Sequence, residues 1–301
     1  MNTDDPTTFA IGYALDAVAA RTDHSIVFVA EQHSTARQVA VKLAHDADGA
    51  DALRREIQVL RGLHHPHIVR IVEATATGDP WLVMPFAATS LEDAIATHGA
   101  FDVDEVLGVL LAIGSALQTV HRHRLVHGDV KPSNILLEAD GRPLLADFGA
   151  AHPIGTSPAY FTPSYFVDDG IEGDVAALAR CALHMLGDAV GTRSDLLRVV
   201  LREFARLGDR PETLIEAVAT LLVEPRWPVV VVTPSIAVAG PPTHPFGPRP
   251  PQPTSASTAP HRRGPRRIVA LAAAVVVLIG AMHVVRDRTA PQGSGVIEVE
   301  R

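Results

Sequence analysis

Between Ile268 and Val285 the chain reads IVALAAAVVVLIGAMHVV, 18 residues without a charge. As a helix rising ~1.5 Å per residue, such a run crosses a hydrocarbon core of roughly 30 Å. The stretch before it argues against a buried core helix. Ten prolines lie from Pro234 to Pro265, with a Thr/Ser cluster at 254–258, a composition that reads as extended linker with polyproline II character. No domain stands beside the apolar run to bury it, so it is expected to be a transmembrane helix. Folding is thereby confined to the residues before 224.

Charge follows the same division. Residues 1–224 hold 17 Lys/Arg against 31 Asp/Glu, a balance of −14, whereas residues 225–267 hold six Arg and no acid. An acidic body on a basic tether argues against nucleic acid as a partner and for a tether lying near anionic lipid of the bilayer. Arg262, Arg263, Arg266 and Arg267 precede the span and only Arg286 and Arg288 follow it closely, which places the linker side in the cytoplasm at the cell membrane. The N-terminal MNTDDPTT has no apolar core of the signal-peptide kind. Cys181 is the single cysteine, so an intrachain disulfide is impossible and a thiol in a reducing compartment is expected.

Lysine usage carries more. Only Lys42 and Lys131 occur, against 24 Arg. Where surface cations are otherwise always Arg, those two positions call for a compact ammonium that a planar guanidinium cannot replace.

Within the folding part, residues 26–31 and 38–43 read as an antiparallel hairpin around a polar turn. Residues 50–63 place Leu53, Ile57 and Leu60 on one helical face. IVRIVEA and PWLVMPF then read as strands, and helical patterns follow at 90–98, 102–124, 173–187, 194–207 and 211–223. The expected organisation is a tail at 1–9, a folded domain at 10–223, a basic Pro-rich linker at 224–267, a span at 268–285 and a short extracytoplasmic tail at 286–301.

Inside that domain, residues 127–134 read HGDVKPSN, followed by the apolar ILL. An Asp, a Lys and an Asn at short fixed spacing supply what phosphoryl transfer needs: a carboxylate to orient a nucleophile, a cation for phosphate and an amide oxygen for a metal. Together with VAVK at 39–42 and DFG at 147–149, this stretch resembles the protein kinase family, and most closely the membrane-tethered serine/threonine kinases of bacteria. The resemblance covers roughly residues 10–223. It implies an α+β, two-lobed fold with a small β-rich lobe and a larger helical one, and ATP-dependent phosphorylation of protein substrates.

By that resemblance Lys42 grips the α- and β-phosphates of ATP, and Glu56 is its ion-pair partner. Asp129 is the base that orients the substrate hydroxyl, Lys131 neutralises the γ-phosphate, and Asn134 with Asp147 holds Mg²⁺, which favours hard oxygen ligands. Val27, Ala40 and Leu136 sandwich the adenine, Met84 is the gatekeeper, and Ala87 offers an amide at the hinge. Asp174 matches the acidic anchor beneath the catalytic loop.

The departures are equally specific. Where the family has a glycine-rich loop ending at Val27, this chain has ARTDHSIV, with Ala20, Thr22 and Ser25 in the glycine positions. Side chains there limit how closely backbone can approach phosphate. Gly128 replaces the Arg that usually follows His127, so control by a phosphate paired to that Arg is not expected. Thr156 matches the threonine near the catalytic Asp. The family's A-P-E triplet reads Thr162-Pro163-Ser164, which removes the acid expected to pair with Arg210. The stretch between Asp174 and Arg210 is short enough to lack a substrate-docking helix. The histidines of LHHPHIV and HRHR have no Cys or acid at ligand spacing and read as ordinary kinase loops.

Three functions remain in competition. An active serine/threonine kinase is favoured by the intact charged and amide positions. A pseudokinase scaffold is favoured by the lost glycines and by Ser164. A small-molecule phosphotransferase of the aminoglycoside type also uses HGD, but it usually carries His where this chain has Lys131, and DFG belongs to protein kinases. Self-association through the Ala-rich span (Ala270, Ala274, Gly280) is a further expectation, with phosphorylation in trans on Thr254, Ser255, Ser257 and Thr258 as its consequence.

Overall fold

In a computed structural model, residues 12–156, 170–219, 221 and 226–229 are described. The chain divides into two units, Met1–Arg263 and Gly264–Arg301, and every described residue belongs to the first. The expected span, the outer tail, the self-association residues, the linker Thr/Ser cluster and Thr162–Ser164 lie outside the described residues.

Five antiparallel strands form the smaller lobe: β1 (Tyr13–Arg21), β2 (Ser25–Gln32), β3 (Arg37–Ala44), β4 (Glu73–Thr75) and β5 (Trp81–Pro85), in the order β1-β2-β3-β5-β4. Alternation along the strands separates two faces. Val39, Val41 and Val83 pack with Tyr13 and Ala30 on one face. Ala40 and Lys42, of opposite parity, point to the other, where Ala40 pairs with Met84 and Lys42 with Val27. Helix α1 (Ala47–Gly62) covers that second face. Asp46 caps it, accepting from the Gly49 amide at 2.7 Å, and it buries Leu53, Ile57 and Leu60.

The hairpin and α1 lie where the periodicity puts them. The run 68–74 behaves differently. Only Glu73–Thr75 is strand, because Ile68 and Val69 are used elsewhere: Ile68 bridges Leu145, and the Val69 amide donates to the Leu145 carbonyl at 2.9 Å. The apolar residues read as strand thus join the two lobes.

The larger lobe holds a small sheet of β6 (Thr89–Ser90), β8 (Ile135–Leu137) and β9 (Pro143–Leu145), a two-stranded pair of β7 (Leu125–Val126) and β10 (His152–Pro153), and helices α2 (Leu91–His98), α3 (Val103–Arg122), α4 (Ile171–Leu186), α5 (Thr192–Leu207) and α6 (Pro211–Ala219). A reciprocal capping box of Asp102 and Glu105 starts α3. Among the described residues α3 is the one helix long and apolar enough to cross a membrane, and it is mostly buried in the lobe. It is a core helix. Only Gly187–Gly191 join α4 to α5, so the extra helix that the short sequence interval argued against is absent there. Cys181 is buried on α4, and burial pushes its thiol well above the ordinary range.

Candidate active site

The cleft between the lobes is built from short segments whose positions follow from local bonding. Lys42 projects from β3 toward α1, and its Nζ donates to Glu56 Oε2 at 2.7 Å and to Asp147 Oδ1 at 2.9 Å. Glu56 is 1% exposed, and its second oxygen accepts from the Phe148 amide at 3.3 Å. One buried carboxylate therefore fixes both the ammonium and the segment after Asp147. Burial would lower the Lys42 pKa, but Asp147 and Glu56 beside it more than reverse that, and the ammonium stays charged. Burial would raise the Asp147 pKa, and the Lys42 charge and hydrogen bond instead bring it to about 2. For Glu56 burial wins over the pull of Lys42, and its pKa is raised.

Asp147 adopts φ 60°, ψ 74°, a left-handed conformation that Asp tolerates better than most residues and that costs on the order of 1 kcal/mol. Conformations of this kind persist where surrounding bonds over-determine them. Here the Lys42 bond and the Glu56–Phe148 bond do so.

On the floor, Asp129 Oδ2 receives Lys131 Nζ at 2.7 Å and Asn134 Nδ2 at 2.9 Å, and the same amide donates to the Asp129 carbonyl at 2.8 Å. With the Asn134 nitrogen committed to Asp129, its carbonyl oxygen is the group left to offer a cation. Asp174 on α4 anchors this loop from below. Its carboxylate accepts the amides of His127 and Gly128, each at 2.9 Å, and bonds His121 Nε2 at 2.8 Å. Burial would raise the Asp174 pKa, but the His121 bond and charge and the Gly128 amide overcome it and hold the carboxyl below its usual range. The His127 ring, fully buried, bonds the Ala146 carbonyl at 3.1 Å and meets the Phe148 ring edge-on at 4.6 Å. That ring pair ties the two motif segments together and was not identified from the sequence.

Gly128 has φ +78°, and a Cβ there would stand 3.1 Å from the Ala150 carbonyl and 3.3 Å from His152. Glycine fits that backbone; the family's Arg would be strained in it. Thr156 donates its hydroxyl to the Pro153 carbonyl at 2.7 Å.

Ala40 and Met84 are paired and buried on the cleft face of the sheet, Val27 stands opposite Lys42, and Leu136 lies half-buried on β8 below. Ala87 is half-buried in the connection from β5 to β6. Val27, Ala40 and Met84 thus lie on the cleft side of the sheet, Ala87 in the connection between the lobes and Leu136 on the cleft floor, while Glu56 stands on α1.

The roof departs from the family in a way the sequence only half revealed. Thr22–His24 form a tight turn between β1 and β2, in which the Thr22 amide donates to the Ser25 carbonyl at 2.8 Å and the Ser25 amide to Thr22 Oγ1 at 3.0 Å. The turn is fastened to the start of α1. His24 Nδ1 bonds Asp46 Oδ2 at 2.8 Å, and the His45 amide donates to the His24 carbonyl at 3.2 Å. Gly49 makes this approach possible, since a Cβ there would lie 2.0 Å from the His24 carbonyl oxygen. The hydroxyls of Thr22 and Ser25, which stand in glycine positions, and the neighbouring His24 imidazole hold the turn by their own bonds. Lack of glycine was legible; the fastening was not, because its partners lie on separate elements. Among the described residues no group of three His, Cys, Asp or Glu side chains is placed to hold a metal ion.

Residues 22–168 match the family model described as protein kinase domain. The chain is 35% identical over 213 residues to the serine/threonine-protein kinase PknK of Mycobacterium tuberculosis, covering 64% of this chain and 19% of that protein. It is 30% identical over 257 residues to the probable serine/threonine-protein kinase PknB of Bifidobacterium longum (80% and 36%), and 30% identical over 176 residues to the serine/threonine-protein kinase SIK2 of Gallus gallus (54% and 22%). The chain therefore carries a protein kinase domain, and it spans about a fifth to a third of these relatives' lengths.

Proposed function

We propose that the protein kinase domain carried by this chain transfers the γ-phosphoryl group of ATP to serine or threonine hydroxyls of protein substrates while tethered at the cytoplasmic face of a membrane. The observation that carries this reading is the three-way contact of Lys42 with Glu56 and Asp147. An ammonium so held is charged, aimed into the cleft and coupled to α1, the fixed-charge arrangement on which phosphoryl transfer draws.

The roles follow from the donor chemistry. Asp129 accepts the proton of the substrate hydroxyl as its oxygen attacks phosphorus and the bond to the ADP leaving oxygen breaks. Lys131, bonded to Asp129, compensates charge on the transferring group. The ionised Asp147, whose side chain is 36% exposed, and the Asn134 carbonyl are hard oxygen donors suited to Mg²⁺. Bound Mg²⁺ would neutralise charge developing on the phosphate oxygens. Val27, Ala40, Met84 and Leu136 offer apolar surface to the adenine. The similarity to serine/threonine kinases and the Asp129-x-Lys131 spacing favour Ser/Thr acceptors over Tyr.

Membrane tethering rests on the uncharged run 268–285 and its flanking arginines. A second reading, a pseudokinase scaffold, is favoured by one specific observation: the glycine-free turn at 22–24 is fastened to α1 by side-chain bonds. Transfer from γ-labelled Mg-ATP to a protein acceptor by the full chain, compared with Asp129→Asn, separates the two. Label incorporation lost in the variant supports the kinase; none from either, with no thermal shift in millimolar Mg-ATP, supports the scaffold.

A further inference from the structure

Arg226–Val229, at the start of the stretch expected to be extended linker, lie packed on the domain. Two glycines on separate elements are cleared for them. A Cβ on Gly108, in α3, would stand 2.1 Å from the Arg226 carbonyl oxygen, and one on Gly141, between β8 and β9, would stand 1.9 Å from the Pro228 carbonyl oxygen. No side chain fits at either distance, so the backbone of 226–228 rests directly on both elements. Side chains fix the register. Arg226 Nη2 bonds Asp102 Oδ2 at 2.6 Å, while the other oxygen of Asp102 caps α3. The Trp227 ring meets His67 edge-on, with centroids 5.4 Å apart at 65°. Pro228 is buried, and Val229 is 75% exposed.

His67 is where this strap meets the cleft. It belongs to the loop between α1, which bears Glu56, and β4. Its carbonyl accepts the Leu145 amide at 2.9 Å, its Nδ1 bonds the Pro143 carbonyl at 2.9 Å, and the Val69 amide returns to Leu145 at 2.9 Å. Leu145 ends β9, two residues before Asp147.

We propose that Trp227 is a positioning residue: the strap 226–229 braces His67, and through it β9, so that Asp147 is held at the Lys42 ammonium. The proposal deepens the kinase reading and rests on it. The start of the tether then belongs to the catalytic assembly, and displacement of the chain at Val229 would reach Trp227 through Pro228.

The test uses the full chain. With Trp81→Phe as background, Trp227 is the only tryptophan left of two, and its emission reports whether the strap is seated; tryptic cleavage after Arg226 is a second measure. Gly108→Ala should shift the emission to the red and speed cleavage, although Ala is the better helix former. Trp227→Ala should raise the Mg²⁺ concentration for half-maximal transfer about threefold or more, below the roughly 10–100-fold typical of a residue bonded directly to a metal ligand. The KM for the protein acceptor should not move, and Trp227→Phe should restore the Mg²⁺ dependence. Gly108→Ala and Trp227→Ala together should do no more than either alone, because both unseat the same strap.

Unchanged emission and cleavage in Gly108→Ala would overturn the docking. An unseated strap with an unmoved Mg²⁺ dependence would overturn the positioning role. If the unsubstituted chain transfers no phosphate, the kinase reading fails separately, and the comparison passes to calorimetric Mg-ATP affinity, where equality of Trp227→Ala with the unsubstituted chain sinks the strap.

Discussion

On the cleft floor, Asp129, Lys131 and Asn134 sit in a loop whose amides are held by the buried Asp174 carboxylate. On the roof, Thr22–His24 are held by side chains that water also reaches: His24 is 52% and Asp46 39% exposed. The two regions face the same cleft with opposite construction. Bonds on the floor are made in low dielectric, where losing a partner leaves a buried charge or amide unsatisfied. Those on the roof compete with solvent and are individually weak. Phosphoryl transfer draws most of its catalysis from fixed charges, so it tolerates an altered roof far better than an altered floor.

The sharpest way to break this comparison is Asp129→Asn. If the floor performs the chemistry, transfer should fall about 10²–10⁴-fold, the range for a lost general base, with the far-ultraviolet dichroism unchanged. A rate within a factor of two of the unsubstituted chain would remove Asp129 from the mechanism.

Next comes Asp174→Asn, which leaves two amides and His121 facing a group that can accept less well. Breaking a buried charged network of this kind typically costs about 3–5 kcal/mol, to be measured by denaturant unfolding. The pH dependence has a definite sign. Because the folded-state pKa of Asp174 is lowered, its contribution is present above the unfolded carboxylate pKa and is lost as pH falls through the folded value. The Asn variant should show a flatter acid limb; an identical limb would assign acid sensitivity to other groups.

Gly128→Arg, which restores the residue the family usually carries, should destabilise rather than improve the domain. A non-glycine residue at φ +78° costs about 1–2 kcal/mol, apart from the crowding against Ala150 and His152. A rise in melting temperature would show that the loop re-forms around an Arg.

The smallest effect belongs to the roof. His24→Ala should raise the KM for ATP by less than about fivefold, since it releases one exposed bond. Its hydrogen bond to Asp46 holds His24 above the ordinary imidazole range, while the Gly49 amide and then His24 hold Asp46 below the carboxylate range. Asp23, Asp48 and His45 are the other charged or titratable groups about this pair. The fastening is therefore strongest between those two pKa values and weakens as pH rises through that of His24. The KM of the unsubstituted chain should climb over that interval and that of His24→Ala should not; parallel profiles would show that the fastening does not position the turn.

Sequence and structure divided the work along a physical line. The bonding within HGDVKPSN was within reach of the sequence because its partners lie a few positions apart: Asn134 reaches Asp129, and Lys131 reaches the same carboxylate, inside one loop. The hairpin, α1 and the short interval between α4 and α5 were legible for the same reason, through periodicity and chain length. The run 68–74 was misjudged because apolar alternation reports burial without naming the partner, and Ile68 and Val69 found theirs in Leu145 of the other lobe.

By itself, then, the sequence determined which polar groups stand at short spacing in the segments of the cleft floor, and that the glycines of the roof are missing. Only the tertiary structure decided that Lys42, Glu56 and Asp147 share one contact, that His24 is fastened to Asp46, and that Gly108 and Gly141 make room for the same passing backbone. Each of these joins residues far apart in the chain, and such meetings depend on strand register and on how the lobes close, which no local spacing encodes.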